Sequence, residues 1–539
     1  MLLKIESVLE KIQYKAILPL CSIGIIALLI RIFFTPWQLP SEAPDTYAYM
    51  IWGLSYSRGD FSNFNVDYLT WPIFLGLFFS FFKFEDIVGY LTIMRIISIL
   101  VSVFTIPIVY LVSKQFVEKK YAILSAAFFA FHPDLIQNSI LGLTETIFIP
   151  IGLLSVYFII QKNDRYLPIA FAFAGLAFDT RVNGIVLLFV LLFACSIKIR
   201  PKIKLIQILG IGIGIFLIFS VPYIINSFNS GDIPFVNRIS LIEERSSSGN
   251  ILSHLYDPSE TLFGSQKENI EFLFSSKSEV LENPSQSDLV KVAIFKELLH
   301  LIRISIPYLA IFVPFGIIIA LKNFDYKNKI LFSAIIISFV VAMPQYLLSA
   351  VFRNLFFIIP FFGILSSIGI QKITENINLK NIFLLLFILG LILISYSFLR
   401  ESNDSDYELL HEKEIFGKYV SNNFKGVFMG DAYGPISRNL IDISQNSIFL
   451  NTNRDISLIT PGYTFSSFKP LLEYANQNDV DYLVVDDEYD NHFPIFQDIF
   501  YNETKYPNLE KIFDSNDEGY HKYHVKIFKI NYNLDVEIP

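Results

Sequence analysis

The chain has 539 residues, of which 53% are hydrophobic and only 17% are charged, and its formal net charge is −8. Soluble domains keep about a quarter of their residues charged, so this composition indicates a polytopic membrane protein. The acidic balance argues against nucleic-acid binding, which needs clustered lysine and arginine. Both cysteines, Cys21 and Cys195, lie inside apolar runs, so the sequence predicts neither a disulfide framework nor a CxxC site.

The first apolar run, residues 16–35, follows Lys4, Lys11 and Lys15 and is long enough to cross a bilayer. It is longer than a signal-peptide core, and no small-x-small cleavage site follows it. We therefore expect an uncleaved first transmembrane helix in the plasma membrane, with the N-terminus in the cytoplasm.

Five short loops rich in lysine and arginine set the topology, because such loops stay in the cytoplasm. Placing all five there closes the alternation with roughly eleven transmembrane helices and an extracytoplasmic C-terminus. The predicted spans are residues 16–35, 87–113, 121–133, 144–161, 166–180, 183–198, 204–226, 302–321, 330–349, 353–370 and 381–399.

Two outer loops follow from this topology, at residues 36–86 and 227–300. The apolar run Trp71–Phe82 in the first is too short to span, so we predict a re-entrant or interfacial helix there. The second is polar and Ser-rich, with a helix predicted near Ser287–Leu299.

The predicted fold is mainly α, with a transmembrane domain over residues 1–400 and a small extracytoplasmic α/β domain over residues 401–539. Short apolar runs alternate with helical patterns in the second part, which is typical of an α/β domain. It has no GxGxxG or P-loop sequence, so no nucleotide site is predicted. Its predicted strands are Gly426–Asp431, Val480–Asp486 and Val525–Ile530, and its predicted helices are Tyr407–Asn422 and Ser466–Asn478.

Ionisable groups at the predicted outer face are candidate site residues, because charge is costly at membrane depth. Asp45 is the predicted catalytic base, which would take a proton from an acceptor hydroxyl. The alternative is a loop acid that caps the helix beginning at Thr46. Arg181 and Arg353 are the predicted phosphate partners, because a guanidinium can donate to two phosphate oxygens at once.

The alternative for Arg181 is a structural turn pair with Asp179, and the alternative for Arg353 is snorkelling to the headgroups. The alternative for Asp134 is a helix N-cap after Pro133, and the alternative for Glu145 is a favourable interaction with the dipole of the helix that it opens. The predicted substrate-binding residues are Glu42, Tyr49, Arg58, Asp134, Glu145, Arg181 and Arg353.

No metal site is predicted, because the seven histidines are scattered and have no zinc spacing. A divalent cation, Mg²⁺ or Mn²⁺, could be held by Asp45 together with Asp134 or Glu145, since carboxylates suit these ions. These acids are far apart in the sequence, and the cation is therefore not part of the main interpretation.

Four short motifs follow one another along the chain: Asp45 with Tyr49, His132-Pro133 with Thr144-Glu145, Thr180–Gly184, and Arg353–Pro360. In this order they resemble the motifs of the GT-C superfamily of polyprenyl-phosphate-sugar-dependent glycosyltransferases. The resemblance covers residues 1–400, and the C-terminal part is also similar to the protein mannosyltransferase and lipid A aminoarabinose transferase relatives. The mannosyltransferases usually have adjacent Asp-Glu where this chain has Asp45-Thr46, and the Trp-Trp-Asp motif of oligosaccharyltransferases does not occur.

This resemblance implies an inverting sugar transfer from a polyprenyl-phosphate donor to a lipid, glycan or protein acceptor, with Asp45 as the catalytic residue. A transporter or flippase is the first alternative, but it predicts mid-span ionisable groups and broken helices, and only Arg95 and Pro107 fit that pattern. A lipid-linked polysaccharide polymerase or ligase is the second, and it would need a more basic outer loop than residues 227–300.

Overall fold

The computed structural model places most of the transmembrane part and the C-terminal sheet. Glu42 and residues 231–285 of the predicted outer loop 227–300 lie outside the described residues. The structure describes residues 14–37, 39, 44–60, 70–84, 87–230, 286–305, 308–346, 352–375, 380–430, 456–459, 465, 467–487 and 494–532.

Apolar helices dominate the chain up to residue 423, and the protein is a multi-pass membrane protein. Among the described residues, six helices are long and apolar enough to cross a membrane, or seven if one bent pair forms a single span. Shorter apolar helices lie among them, so the predicted number of eleven spans remains a prediction. The helices are α1 Tyr14–Phe34, α2 Pro44–Ser57, α3 Thr70–Phe79, α4 Ile87–Ser113, α5 Lys119–Ala130, α6 Pro133–Leu141, α7 Glu145–Ile160, α8 Leu167–Thr180, α9 Ile185–Lys198, α10 Lys202–Phe219, α11 Val221–Ser230, α12 Gln286–Arg303, α13 Leu309–Lys322, α14 Tyr326–Tyr346, α15 Ile359–Thr374 and α16 Lys380–Asn423.

A break between α6 and α7 organises the first outer loop. The two helices meet at 119°, and Gly142 ends α6 in the left-handed region at φ 73°. The break offers carbonyl oxygens to two neighbouring helices: Thr46 Oγ1 donates to Leu141 O at 2.7 Å, and Trp71 Nε1 donates to Gly142 O at 2.8 Å. The starts of α2 and α3 are thereby fixed beside the start of α7.

Helices α2 and α3 pack closely as a pair because two glycines lie at their contact. A Cβ atom added to Gly76 would lie 2.9 Å from Gly53 O, too close for any side chain. The predicted short apolar helix after Trp71 thus forms as α3, from Thr70 to Phe79.

Two buried arginines in the membrane part are structural. Arg31 donates to Ser139 Oγ, Ser102 Oγ and two backbone carbonyls. Arg95, which fitted the transporter pattern in the sequence, donates to Pro36 O and Leu39 O and so holds the start of the first outer loop against α4. Carbonyl oxygens satisfy intramembrane cations in this way without a transport pathway.

The last membrane helix continues without interruption into the C-terminal part. Helix α16 has 44 residues, or about 66 Å at 1.5 Å per residue. The sequence predicted separate helices at 381–399 and 407–422, but the polar segment between them contains neither proline nor glycine and stays helical.

A five-stranded mixed sheet follows α16. Its order is β2-β1-β3-β5-β4, with β1, β2 and β3 parallel and β5 antiparallel to both of its neighbours. Phe416 and Val420 of α16 cover one face of the sheet, and two short helices cover the other. The elements are β1 Gly426–Met429, β2 Ile456–Ile459, α17 Phe468–Gln477, β3 Tyr482–Asp486, α18 Pro494–Tyr501, β4 Leu509–Asp514 and β5 Val525–Ile530.

The three predicted strands are confirmed as β1, β3 and β5, and the helix predicted at 466–478 is confirmed as α17. Strands β2 and β4 were not predicted. Strand β2 has only four residues, and the polar residues in β4 hide its alternation. The division of the chain near residue 400 stays a proposal, because α16 crosses it.

Candidate active site

A buried ion pair between Arg181 and Glu145 forms the base of the candidate site. Arg181 follows the last turn of α8, and Glu145 is the first residue of α7 after the break. Arg181 Nη1 donates to Glu145 Oε1 at 2.5 Å and to Thr144 Oγ1 at 2.7 Å, and Arg181 Nη2 donates to Asn354 Oδ1 at 3.0 Å. The two charged side chains are only 5% and 2% exposed, so this pair is closed to solvent.

A second ion pair, between Arg353 and Asp45, lies on top of the first. Arg353 Nη2 donates to Asp45 Oδ2, and Arg353 Nε lies 3.8 Å from Glu145 Oε1. These two side chains are more open, with 24% of Arg353 and 39% of Asp45 exposed. The arrangement alternates in charge from Asp45 through Arg353 and Glu145 to Arg181, and its formal charge is zero.

Local structure explains why these four groups meet. Asp45 lies in the first turn of α2, which the Thr46 hydrogen bond fixes to the break before Glu145. Arg353 lies in a 3-10 segment, Phe352–Ile358, that leads into α15 and packs against α7. The helix begins at Pro44, so Asp45 lies inside its first turn and not at the cap of a helix beginning at Thr46, the alternative that the sequence offered. An acid at this position still complements the helix dipole.

Four predicted site residues, Asp45, Glu145, Arg181 and Arg353, are therefore in one connected group, which we call the ion cluster. Tyr49 lies one turn after Asp45 on the same side of α2, is buried, and packs against Trp52 with ring centroids 6.0 Å apart. Its position is compatible with a place in the wall of the site.

Two other predicted residues lie elsewhere. Asp134 Oδ2 is 3.8 Å from Nδ1 of the buried His132, and His132 Nε2 in turn hydrogen-bonds Ile304 O at 2.8 Å, so this acid belongs to a separate group near the end of α12. Arg58 is exposed just beyond the end of α2, about 20 Å along the helix axis from Asp45.

Sequence reasoning missed Asn354 as a partner of Arg181, although Asn354 directly follows Arg353 in a motif that was singled out. The sequence also allowed a structural turn in which Asp179 pairs with Arg181. The structure instead directs Asp179 away: its carboxylate accepts from Thr70 Oγ1 at 2.7 Å and from the backbone N–H of Tyr223 at 2.9 Å. Asp179 thus ties α3 and the start of α11 to the end of α8.

The donor set of the ion cluster does not fit a divalent cation in this conformation. Each of its two carboxylates faces a guanidinium, and Asp134 lies beside His132, outside the ion cluster. Within the part of the chain that the structure describes, no group of three or more His, Cys, Asp or Glu residues could hold a metal ion.

The comparisons with known proteins can be set beside this geometry. A family profile described as dolichyl-phosphate-mannose-protein mannosyltransferase matches residues 71–225, a segment that contains Glu145 and Arg181 but neither Asp45 nor Arg353. No curated protein has a sequence that matches the chain.

Solved structures match over most of the length. The crystal structure of the Archaeoglobus fulgidus oligosaccharyltransferase with Zn and sulfate has a TM-score of 0.52 at 14% identity, covering 86% of this chain and 68% of that one. The chain has the GT-C glycosyltransferase fold. The same archaeal protein, AglB, in complex with an inhibitory peptide and a dolichol-phosphate, matches at TM-score 0.52 and 13% identity over 87% of this chain and 70% of that one.

A more distant match is ArnT from Cupriavidus metallidurans bound to undecaprenyl phosphate, with a TM-score of 0.46 and 10% identity over 96% of this chain and 99% of that one. The absence of the Trp-Trp-Asp motif from the sequence does not exclude the fold of the oligosaccharyltransferases, which the chain shares at 14% identity.

Proposed function

We propose that this protein transfers a sugar from a polyprenyl-phosphate-linked donor to an acceptor on the extracytoplasmic face of the membrane. The observation that carries the proposal is the ion cluster, in which a solvent-accessible carboxylate and a solvent-accessible guanidinium lie side by side on a buried ionic base. A general base and a phosphate-binding cation are the two groups that such a transfer needs.

The reaction assigns one role to each accessible group. As the acceptor hydroxyl oxygen attacks C1 of the sugar, its proton goes to the Asp45 carboxylate. The bond between C1 and the phosphate oxygen breaks, and its electron pair goes to that oxygen, where Arg353 stabilises the charge. Attack from the side opposite the leaving phosphate inverts the configuration at C1.

The buried pair has a supporting role in this mechanism. Arg181 uses its guanidinium on Glu145, Thr144 and Asn354, so it is not free to bind phosphate without losing buried hydrogen bonds. We assign Arg181 and Glu145 to positioning Arg353 and the adjoining Asn354. Of the two arginines predicted to bind phosphate, Arg353 is therefore the better candidate.

The two ends of α8 indicate which side of the membrane the ion cluster faces. The end near Arg181 carries the ion cluster, whereas the other end lies beside Asp164, which pairs with Lys198 at 3.3 Å and Lys204 at 2.8 Å. Both lysines belong to a basic loop that the positive-inside rule assigns to the cytoplasm. The ion cluster is accordingly assigned to the extracytoplasmic face.

A lipid-phosphate donor is consistent with a solved structure of this fold, because the archaeal AglB structure is a complex with a dolichol-phosphate. The acceptor stays open between lipid, glycan and protein, and a polymerase or ligase acting on a longer glycan would use the same cluster.

The function is tested with purified full-length protein in lipid nanodiscs and a panel of polyprenyl-phosphate hexoses and pentoses. Acceptors are first identified by mass spectrometry of envelope glycolipids and glycoproteins from cells with and without the protein. We expect one donor to be consumed, with release of polyprenyl phosphate and an inverted product anomer. Unchanged envelope glycans together with no donor consumption would contradict the proposal.

A further inference from the structure

Asp45 and a bound phosphate would compete for the same guanidinium. Arg353 has its Nη2 on Asp45 and its Nε side toward Glu145, and Glu145 is held from below by Arg181. Among these pairs, the one between Arg353 and Asp45 is the one in which both side chains are exposed to solvent. An incoming anion can therefore reach Arg353 most readily by replacing the Asp45 carboxylate.

We propose that Asp45 occupies the anion position of Arg353 in the donor-free protein, and that the donor phosphate displaces it, so that the base becomes available only after the donor has bound. This inference rests on the proposed function and adds an order to it: donor first, acceptor second.

The charge balance supports an exchange rather than an addition. The ion cluster carries two carboxylates and two guanidiniums, so it has no net charge to offer a phosphate while Asp45 stays in place. While Asp45 accepts a hydrogen bond from Arg353, that carboxylate oxygen is also not available to an acceptor hydroxyl. Displacement by phosphate solves both problems at once, since it neutralises Arg353 and frees the carboxylate.

The exchange has a counterintuitive consequence for binding. Removing the charge of Asp45 should strengthen the binding of a lipid phosphate, even though it should abolish transfer. We expect Asp45→Asn to bind a short-chain polyprenyl phosphate on the order of twofold to fivefold more tightly than the unaltered protein, the range expected for loss of a partly exposed competing ion pair.

The experiment is a calorimetric titration of the full-length protein in nanodiscs with polyprenyl phosphate, and Asp517→Asn is the matched control. Asp517 is exposed in the turn between β4 and β5, so its substitution changes the net charge equally without touching the ion cluster. The corresponding polyprenol, which lacks the phosphate, and inorganic phosphate, which lacks the lipid, separate the two parts of the ligand. A gain with both phosphates but not with polyprenol supports the exchange at the phosphate.

A double-substitution cycle assigns the effect to Arg353. If Asp45 acts through Arg353, then Asp45→Asn should bring no gain in an Arg353→Ala background. Equal or weaker binding by Asp45→Asn, or a gain that persists without Arg353, would overturn the exchange. Because binding is measured without turnover, this result is independent of whether the protein transfers sugar: transfer by the unaltered protein without tighter binding by Asp45→Asn would leave the function standing and remove only the exchange.

Discussion

Arg181 and Arg353 carry the same guanidinium, but the structure gives them different surroundings. Arg181 is almost fully buried and donates three hydrogen bonds to three side chains, whereas Arg353 is open to solvent beside Asp45. From the sequence both arginines were candidates for binding phosphate. Burial now separates them, because a buried ion pair that loses one partner leaves the other charge without compensation.

Arg181→Ala should therefore reduce stability before it reduces donor affinity. Loss of a buried partner costs about 3–5 kcal/mol, because Glu145 would keep a buried charge. The measurement is the unfolding midpoint of the purified protein in detergent, with Lys322→Ala as an exposed control that should change stability by less than about 0.5 kcal/mol. A variant as stable as the control but unable to bind polyprenyl phosphate would instead make Arg181 a direct phosphate ligand.

The break between α6 and α7 is the element that brings Asp45 and Glu145 together. Its key position is Gly142, whose φ of 73° strains any other residue and where an added Cβ would require the end of the Met94 side chain to move. The break accepts hydrogen bonds from Thr46 and Trp71, so a shift there moves the starts of α2 and α3 as well.

Gly142→Ala should destabilise the protein by about 1–2 kcal/mol, because an L-residue is strained in the left-handed region. The added Cβ would also lie 2.8 Å from Met94 Cε. Gly210→Ala is the matched control, since nothing lies within 4 Å of a Cβ at that helical position and alanine favours a helix by up to about 1 kcal/mol. Thermal unfolding that ranks the two variants in the opposite order would show that the break does not need glycine.

At the scale of the whole molecule, a carboxylate on α16 adds hydrogen bonds to the apolar packing that holds the C-terminal sheet against this helix. Glu412 on the polar extension of α16 accepts backbone N–H bonds from His521 at 2.9 Å, Lys522 at 2.8 Å and Tyr523 at 2.7 Å. Partial burial acts to raise the pKa of Glu412, but the three donors outweigh it and lower the pKa below its ordinary value of 4.5.

Because the pKa of Glu412 is lowered in the folded state, its charged carboxylate stabilises that state at pH values above the unfolded-state pKa. This stabilisation is lost as the pH falls through the folded-state pKa. The docking of residues 521–523 on α16 should therefore hold at neutral pH and weaken below about pH 4. Glu412→Gln should show the weaker docking at all pH values, seen as faster hydrogen exchange of those amides. Glu408→Gln, an exposed acid one turn earlier on the same helix, is the control, and equal exchange in both variants would contradict the assignment.

Hydropathy and basic loops were enough to predict a polytopic helical protein, because both signals are local. The site was only partly predictable: the chemistry of Asp45, Glu145, Arg181 and Arg353 could be read from residue type and membrane side. Their pairing could not, since Asp45 and Arg353 are 308 positions apart and meet only through helix packing. Asp134 has a different cause: it lies close to Glu145 in the sequence, but the bend between α6 and α7 separates the two acids, and Asp134 lies beside His132 instead.

The most direct test of the account is the single-turnover rate of sugar transfer by Asp45→Asn, measured at saturating donor and acceptor with Asp517→Asn as the control. If Asp45 is the general base, the rate should fall on the order of 10²- to 10⁴-fold while the protein stays folded and still binds polyprenyl phosphate. A rate within a fewfold of the control would contradict the account, because the one accessible carboxylate of the ion cluster would then be dispensable.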